Sequence, residues 1–231
     1  LAELYRVCEI ARELLQPPHG VSRVIARPFV GTSGAYTRTP HRRDFSLAPG
    51  PGLVLHALRA AGVRVQTIGK IHDLYAGAGI DDGVKSPDNA AGMRLLAEGY
   101  PAAPDPAFLM VNLVDFDMLW GHRNDPAGMA AGLRAFDAWL DGFLPGLRAG
   151  DLLLITADHG NDPTTASTDH SREEVPLLAL LGGAPSPGPD LGWRETFADV
   201  GATVAEFFGV AADTPGTSFL ADLRAGRREG S

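Results

Sequence analysis

The chain is short of the residues that define several protein classes. It has one cysteine, Cys8, among 231 residues. An internal disulfide framework is therefore excluded, and thiolate is removed from the pool of metal ligands. That usage fits a reducing, cytoplasmic setting. No apolar run approaches the roughly 20 residues that cross a membrane as a helix. The opening Leu1-Ala2-Glu3 continues into a helical pattern rather than a secretory leader. The net charge is −8, which argues against a general nucleic-acid binder. One stretch lacks charge of one sign: no acidic residue lies between Glu13 and Asp44.

What is present is an apolar fraction of 45%, enough for a substantial core. Leu4, Val7, Ile10 and Leu14 have helical spacing, so a helix is expected over 2–15, ended by Pro17-Pro18. Strands are expected at 21–26, 63–68, 107–114, 151–157 and 175–181, and helices at 51–61, 90–98, 126–140 and 199–208. Residues 27–48 and 77–89 read as loops, and Pro185 to Pro189 as a surface turn. Strands separated by helices predict an α/β fold with a mostly parallel sheet covered by helices on both faces. Ligands of such sheets bind beyond the carboxyl ends of the strands.

Two strand ends carry the same chemistry. Leu152-Leu153-Leu154-Ile155-Thr156-Ala157 runs into Asp158-His159-Gly160-Asn161-Asp162, and His170 follows eleven positions after His159. Upstream, Phe108 to Val114 runs into Asp115-Phe116-Asp117, with His122 beyond. Carboxylate and imidazole are the common ligands of Mn²⁺, Zn²⁺ and related ions. Asp117, His122, Asp158, His159 and His170 are therefore candidate metal ligands, gathered in three short segments. Asp115 competes with Asp117, since alternation would put both on one face of an extended segment. Asp162 and Asp169 are supporting candidates.

The acid-free stretch holds Arg23, Arg27, Arg38, His41, Arg42 and Arg43, together with the loop Gly31-Thr32-Ser33-Gly34. The guanidinium fork matches phosphate. In an acidic chain with a metal site, that patch favours a small anionic substrate over DNA. Lys70, after the strand 63–68, is a further candidate for the same role.

These residues resemble the bacterial phosphopentomutases of the alkaline phosphatase superfamily. The resemblance is carried by Asn112 to Asp125, by Thr156 to Pro163, and by Thr168 to Glu173. It extends to Ile25 to Phe29, Arg38 to Phe45, Ile68 to Ile71 and Gly216 to Leu220. The resemblance implies an alkaline phosphatase-like core over 46–231 and, over 1–45, the remainder of an α+β cap domain. It implies an isomerase that interconverts ribose (or deoxyribose) 1-phosphate and 5-phosphate with two Mn²⁺ ions, whose ligands would equally suit Zn²⁺. One ion would be held by Asp117, His122 and His170, the other by Asp158 and His159. Arg27, Arg38 and Lys70 would clamp the sugar phosphate. No nucleic-acid or membrane partner is implied, and oligomeric state is left open.

The family also carries an earlier strand ending in a metal-binding Asp and a Thr phosphorylated during turnover, neither of which has a match here. Thr164, Thr165 and Thr168 do not share that nucleophile's context. The expectation is an N-terminally incomplete enzyme, inactive alone as a mutase. Three other readings stand beside it. They are a cofactor-independent phosphoglycerate mutase relative, a phosphatase or phosphodiesterase of the same superfamily, and a non-catalytic metal- or sugar-phosphate-binding protein.

Overall fold

A computed structural model describes residues 1–184 and 188–225. Of the turn expected at Pro185 to Pro189, residues 185–187 lie outside the described residues. Helix α1 spans Ala2–Leu14 and buries Cys8, while Val7, Ile10 and Leu14 stay exposed. It packs on a two-stranded antiparallel sheet of β1 (Arg23–Ala26) and β4 (Arg43–Ser46). The Tyr5 ring meets Phe45 edge-on there, and the Arg43 guanidinium lies over the Phe45 ring at 4.7 Å.

Between those strands, β2 (Phe29–Thr32) and β3 (Ala35–Arg38) form a hairpin. The expectation of an unbroken loop over 27–48 is corrected here. Ser33 and Gly34 make a two-residue turn, with Gly34 at φ +84°, a conformation glycine adopts without penalty. The strands were hidden because both faces of the hairpin are exposed, so no apolar alternation marks them.

From α2 (Val54–Ala60) onward the expected elements appear with shifts of a few residues, except that the loop expected over 77–89 holds a short strand, whose Asp82-Gly83-Val84 sequence carries no apolar run to mark it. Leu55 and Leu58 of α2 pack with Val63 and Val65 in the main core. Strand β5 (Arg64–Ile68) is flanked in parallel by β6 (Asp82–Val84) and β7 (Ala107–Val111), in the order β6-β5-β7. A short α3 (Ile71–Leu74) follows β5. Helix α4 (Asn89–Gly99) is capped by Asp88 accepting from the Ala91 amide, and α5 (Pro126–Phe143) by Asp125 accepting from Gly128. Helix α6 (Ala198–Phe207) adds Val204 to the core beside α2.

The parallel sheet holds as expected for β5 to β7. Strands β8 (Leu152–Thr156) and β9 (Leu177–Leu181) instead pair antiparallel. No helix intervenes between them, so the chain folds back rather than crossing over. A bridge between Gly160 and Ser171 pins the connecting loop. Leu181 joins Phe219 and the α7 (Leu220–Ala225) residues Leu220 and Leu223 in a second core cluster. None of the described helices is long and apolar enough to cross a membrane.

Parallel pairing brings the carboxyl ends of β5 and β7 to one edge, with Ile68 opposite Val111. The Asn112 amide donates to the Ile68 carbonyl at 3.0 Å. Gly69 is required at this crossing. Its φ is +94°, and a Cβ would lie 2.6 Å from the Asn112 carbonyl oxygen.

Candidate metal centre

The segment after β7 does not continue extended. Phe116–Trp120 forms a π-helical turn and Gly121–Arg123 a 3-10 turn. Wide helical turns of this kind recur at functional sites. The turn overturns the expectation that Asp115 and Asp117 share one face. Asp115 is buried, accepts from the Asn89 amide at 2.8 Å, and its own amide donates to Asn89 Oδ1 at 2.9 Å. Asp117, by contrast, lines the cleft.

Asp117 Oδ1 is the hub. His122 Nε2 lies 3.1 Å from it, His170 Nε2 3.2 Å and His159 Nε2 3.9 Å. Ligand atoms of Asp117, His159 and His170 all fall within 4.8 Å of one another. Asp158 is largely exposed, with its Oδ1 3.7 Å from His159 Nε2. His159 thus lies between the two carboxylates. The structure gathers Asp117, His122, His159 and His170 around one oxygen, while Asp158 joins them only through its neighbour His159.

The imidazoles are oriented from behind. His122 Nδ1 lies 2.5 Å from the Thr168 carbonyl oxygen, and His159 Nδ1 3.1 Å from that of Gly160. A carbonyl only accepts, so each Nδ1 donates, and each Nε2 faces Asp117 Oδ1. This nitrogen and oxygen donor set fits a borderline divalent ion such as Mn²⁺ or Zn²⁺. Outer partners that fix the tautomer are the usual support of such ligands.

Two loops from different strands make the site, and polar ties join them. The Asn124 amide donates to the Thr165 carbonyl at 2.7 Å. Asn161 Nδ2 donates to Asp117 Oδ1 at 3.2 Å. Gly160 is confined here, since a Cβ would lie 2.7 Å from the Ser171 carbonyl oxygen. Asp162 proves to be a turn residue. Its Oδ1 accepts from the amide and the hydroxyl of Thr164, and these bonds hold its carboxyl below the usual range. Asp169 likewise belongs to a turn, its amide donating to the Ser167 hydroxyl. Thr164 and Thr165 spend their hydroxyls on this loop, and Thr168 offers a carbonyl to His122.

Of the expected phosphate-binding residues, Lys70 comes closest to the ligand turn. Its Nζ lies 2.8 Å from Met118 Sδ. Burial lowers the Lys70 pKa from 10.5; Asp117 opposes that shift, while Arg42 and Arg23 add to it. Arg27 and Arg38 line the same cleft from the β1–β4 side, and neither forms an ion pair among the described residues. Arg42 is held by both oxygens of Asp44 at 3.0 Å, and Arg23 lies 3.8 Å from the same carboxylate. The cleft is about 3200 Å³ and is also lined by β7 and β8. That is larger than the roughly 300–1,000 Å³ of a small-molecule pocket, so the metal cluster occupies one part of it.

The sequence reading gave no role to Asn161 or to the Thr168 carbonyl. Asn161 belongs to the recognised Asp-His-Gly-Asn block, which was a usable signal. A backbone carbonyl leaves no signal in a sequence.

A family model described as the Metalloenzyme superfamily matches residues 37–212. Curated relatives are named phosphopentomutase. That of Caldanaerobacter subterraneus subsp. tengcongensis is 51% identical over 223 residues, covering 96% of this chain and 56% of the relative. That of Dictyoglomus thermophilum is 50% identical over 224 residues, covering 97% and 57%. That of Anaeromyxobacter dehalogenans strain 2CP-1 is 53% identical over 223 residues, covering 96% and 56%. The chain spans a little over half the length of the curated relatives it matches.

Proposed function

The chain belongs to the Metalloenzyme superfamily, and on that premise we propose that it is the metal-binding and sugar-phosphate-binding part of a phosphopentomutase. The reaction is the interconversion of (deoxy)ribose 1-phosphate and 5-phosphate in the cytoplasm. Residues 46–231 form the core in this reading, and residues 1–45 belong to a cap domain. The observation that carries it is the convergence of His122, His159 and His170 on Asp117 Oδ1, beside a cleft wall carrying Lys70, Arg27 and Arg38. Identity of about half to relatives of that name supports the substrate class.

Asp117, His122 and His170 hold one divalent ion, and Asp158 and His159 a second; Mn²⁺ is the metal proposed. Bound ions of this kind polarise phosphoryl oxygens and offset charge on the attacking and leaving oxygens. The remaining work falls to the protein's own groups. Lys70, raised at the carboxyl end of β5, meets the anionic end of the sugar phosphate next to the ligand turn. Arg27 and Arg38, lining the same cleft, fix the far end with their guanidinium forks. Burial of Lys70 strengthens its pull on an incoming anion by lowering the local dielectric.

Calorimetric titration tests this. Mn²⁺ is titrated first, then ribose 5-phosphate, with 3-phosphoglycerate as the competitor. Ribose 5-phosphate is expected to bind the Mn²⁺-loaded protein more tightly. Preference for 3-phosphoglycerate would instead favour a phosphoglycerate mutase, and no preference would contradict the proposal.

A further inference from the structure

We infer that Asn161 is a positioning residue for the cation site, and that Gly121 is the gap that admits it. This rests on reading Asp117, His122, His159 and His170 as cation ligands. Asn161 comes from the loop after β8 and Asp117 from the turn after β7. The amide Nδ2 donates to Asp117 Oδ1, the oxygen on which the three imidazoles converge. It is a direct side-chain tie between the two ligand segments.

Gly121 supplies the second observation. A Cβ at this position would lie 2.2 Å from Asn161 Nδ2 and 2.4 Å from Asn161 Cγ. Its backbone is right-handed, at φ −61° and ψ −65°. Glycine is therefore used here for space and not for conformation. The turn after β7 closes down onto the Asn161 amide, and the amide takes hold of the carboxylate.

An amide suits this task chemically. It donates to the carboxylate and fixes one rotamer. Being neutral, it leaves the negative charge of Asp117 available to a cation. A lysine here would neutralise that charge, and a second carboxylate would repel it.

The test is Mn²⁺ affinity, measured calorimetrically on the purified protein, with a thermal melt in chelator for every variant. Asn161→Ala and Asn161→Leu, the latter keeping volume without the donor, are each expected to lose about 10- to 100-fold in affinity, the range seen when outer partners of ligands are removed. Their melts are expected to stay close to the parent's. Gly121→Ala is expected to lose a similar amount by pushing the amide off Asp117. In an Asn161→Ala background, Gly121→Ala should cost nothing more, because the wedge has no target.

Unchanged Mn²⁺ affinity in both Asn161 variants would overturn the inference. So would losses in the double variant equal to the product of the single ones, since the two positions would then act separately. Failure of the parent protein to bind Mn²⁺ would overturn the metal reading itself, a different result from binding that ignores Asn161.

Discussion

Asn89 and Asp115 grip each other twice, amide to carboxylate at 2.8 Å and amide to side-chain oxygen at 2.9 Å. The pair fastens the start of α4 to the foot of the turn that carries Asp117. Asp115 is thereby taken out of the ligand set and becomes an anchor. Asp115→Ala is expected to lower stability by about 2–3 kcal/mol, because it leaves the buried Asn89 amide without its partner. Chemical denaturation checks this. A loss below about 0.5 kcal/mol would mean that the anchor is dispensable.

Half-burial of the Lys70 ammonium carries a cost in stability. Burial disfavours its charged form, so its folded pKa lies below 10.5. The cost is fully present below that folded value and is relieved as pH rises toward 10.5. Lys70→Met is therefore expected to melt at or above the parent's temperature at neutral pH. The same variant should bind ribose 5-phosphate at least about tenfold more weakly, equivalent to about 1.4 kcal/mol, with Mn²⁺ affinity little changed. Intact sugar-phosphate binding would remove Lys70 from the site.

Asp81 locks the outer edge of the parallel sheet. Its carboxylate accepts the Val65 amide at 2.8 Å and pairs with Arg59 Nε at 2.8 Å. The Val65 hydrogen bond, then Arg59, holds its pKa below 3.8. The resulting stability is present above that ordinary value and lost as pH falls through the lower folded one. Asp81→Asn should cost about 1 kcal/mol at neutral pH, since solvent screens the exposed Arg59 pair. The difference between variant and parent should shrink in acid. A pH-independent difference in denaturation midpoints would contradict this account.

Much of the fold was legible in the sequence because β7 and β8 are mostly apolar runs, while β5 alternates, with Val65 and Thr67 buried between the less buried Arg64 and Gln66. Helices α4 and α5 were also expected, and the structure adds their caps, Asp88 and Asp125. The hairpin of β2 and β3 was not legible, since exposure on both faces erases alternation. The antiparallel return of β9 was legible in principle, because no helix separates it from β8. At the site, the five ligand candidates could be read from residue type and spacing. The separation of Asp115 from Asp117 could not, because a π-helical turn replaces the extended geometry that alternation assumes. The arginine cluster was visible as a cluster. Only the structure showed that Arg42 is held by Asp44, while Arg27 and Arg38 line the cleft with no ion pair among the described residues.

The central claim is that Asp117 is the hub of a divalent-cation site. Free Mn²⁺ gives a strong paramagnetic resonance signal that falls when the ion binds protein. Titrating Mn²⁺ into the parent, Asp117→Ala and Asp115→Ala proteins tests the claim directly. The parent and Asp115→Ala should both suppress the free-ion signal, and Asp117→Ala should leave it near that of buffer. A full free-ion signal with the parent, or equal suppression by Asp117→Ala, would contradict the account.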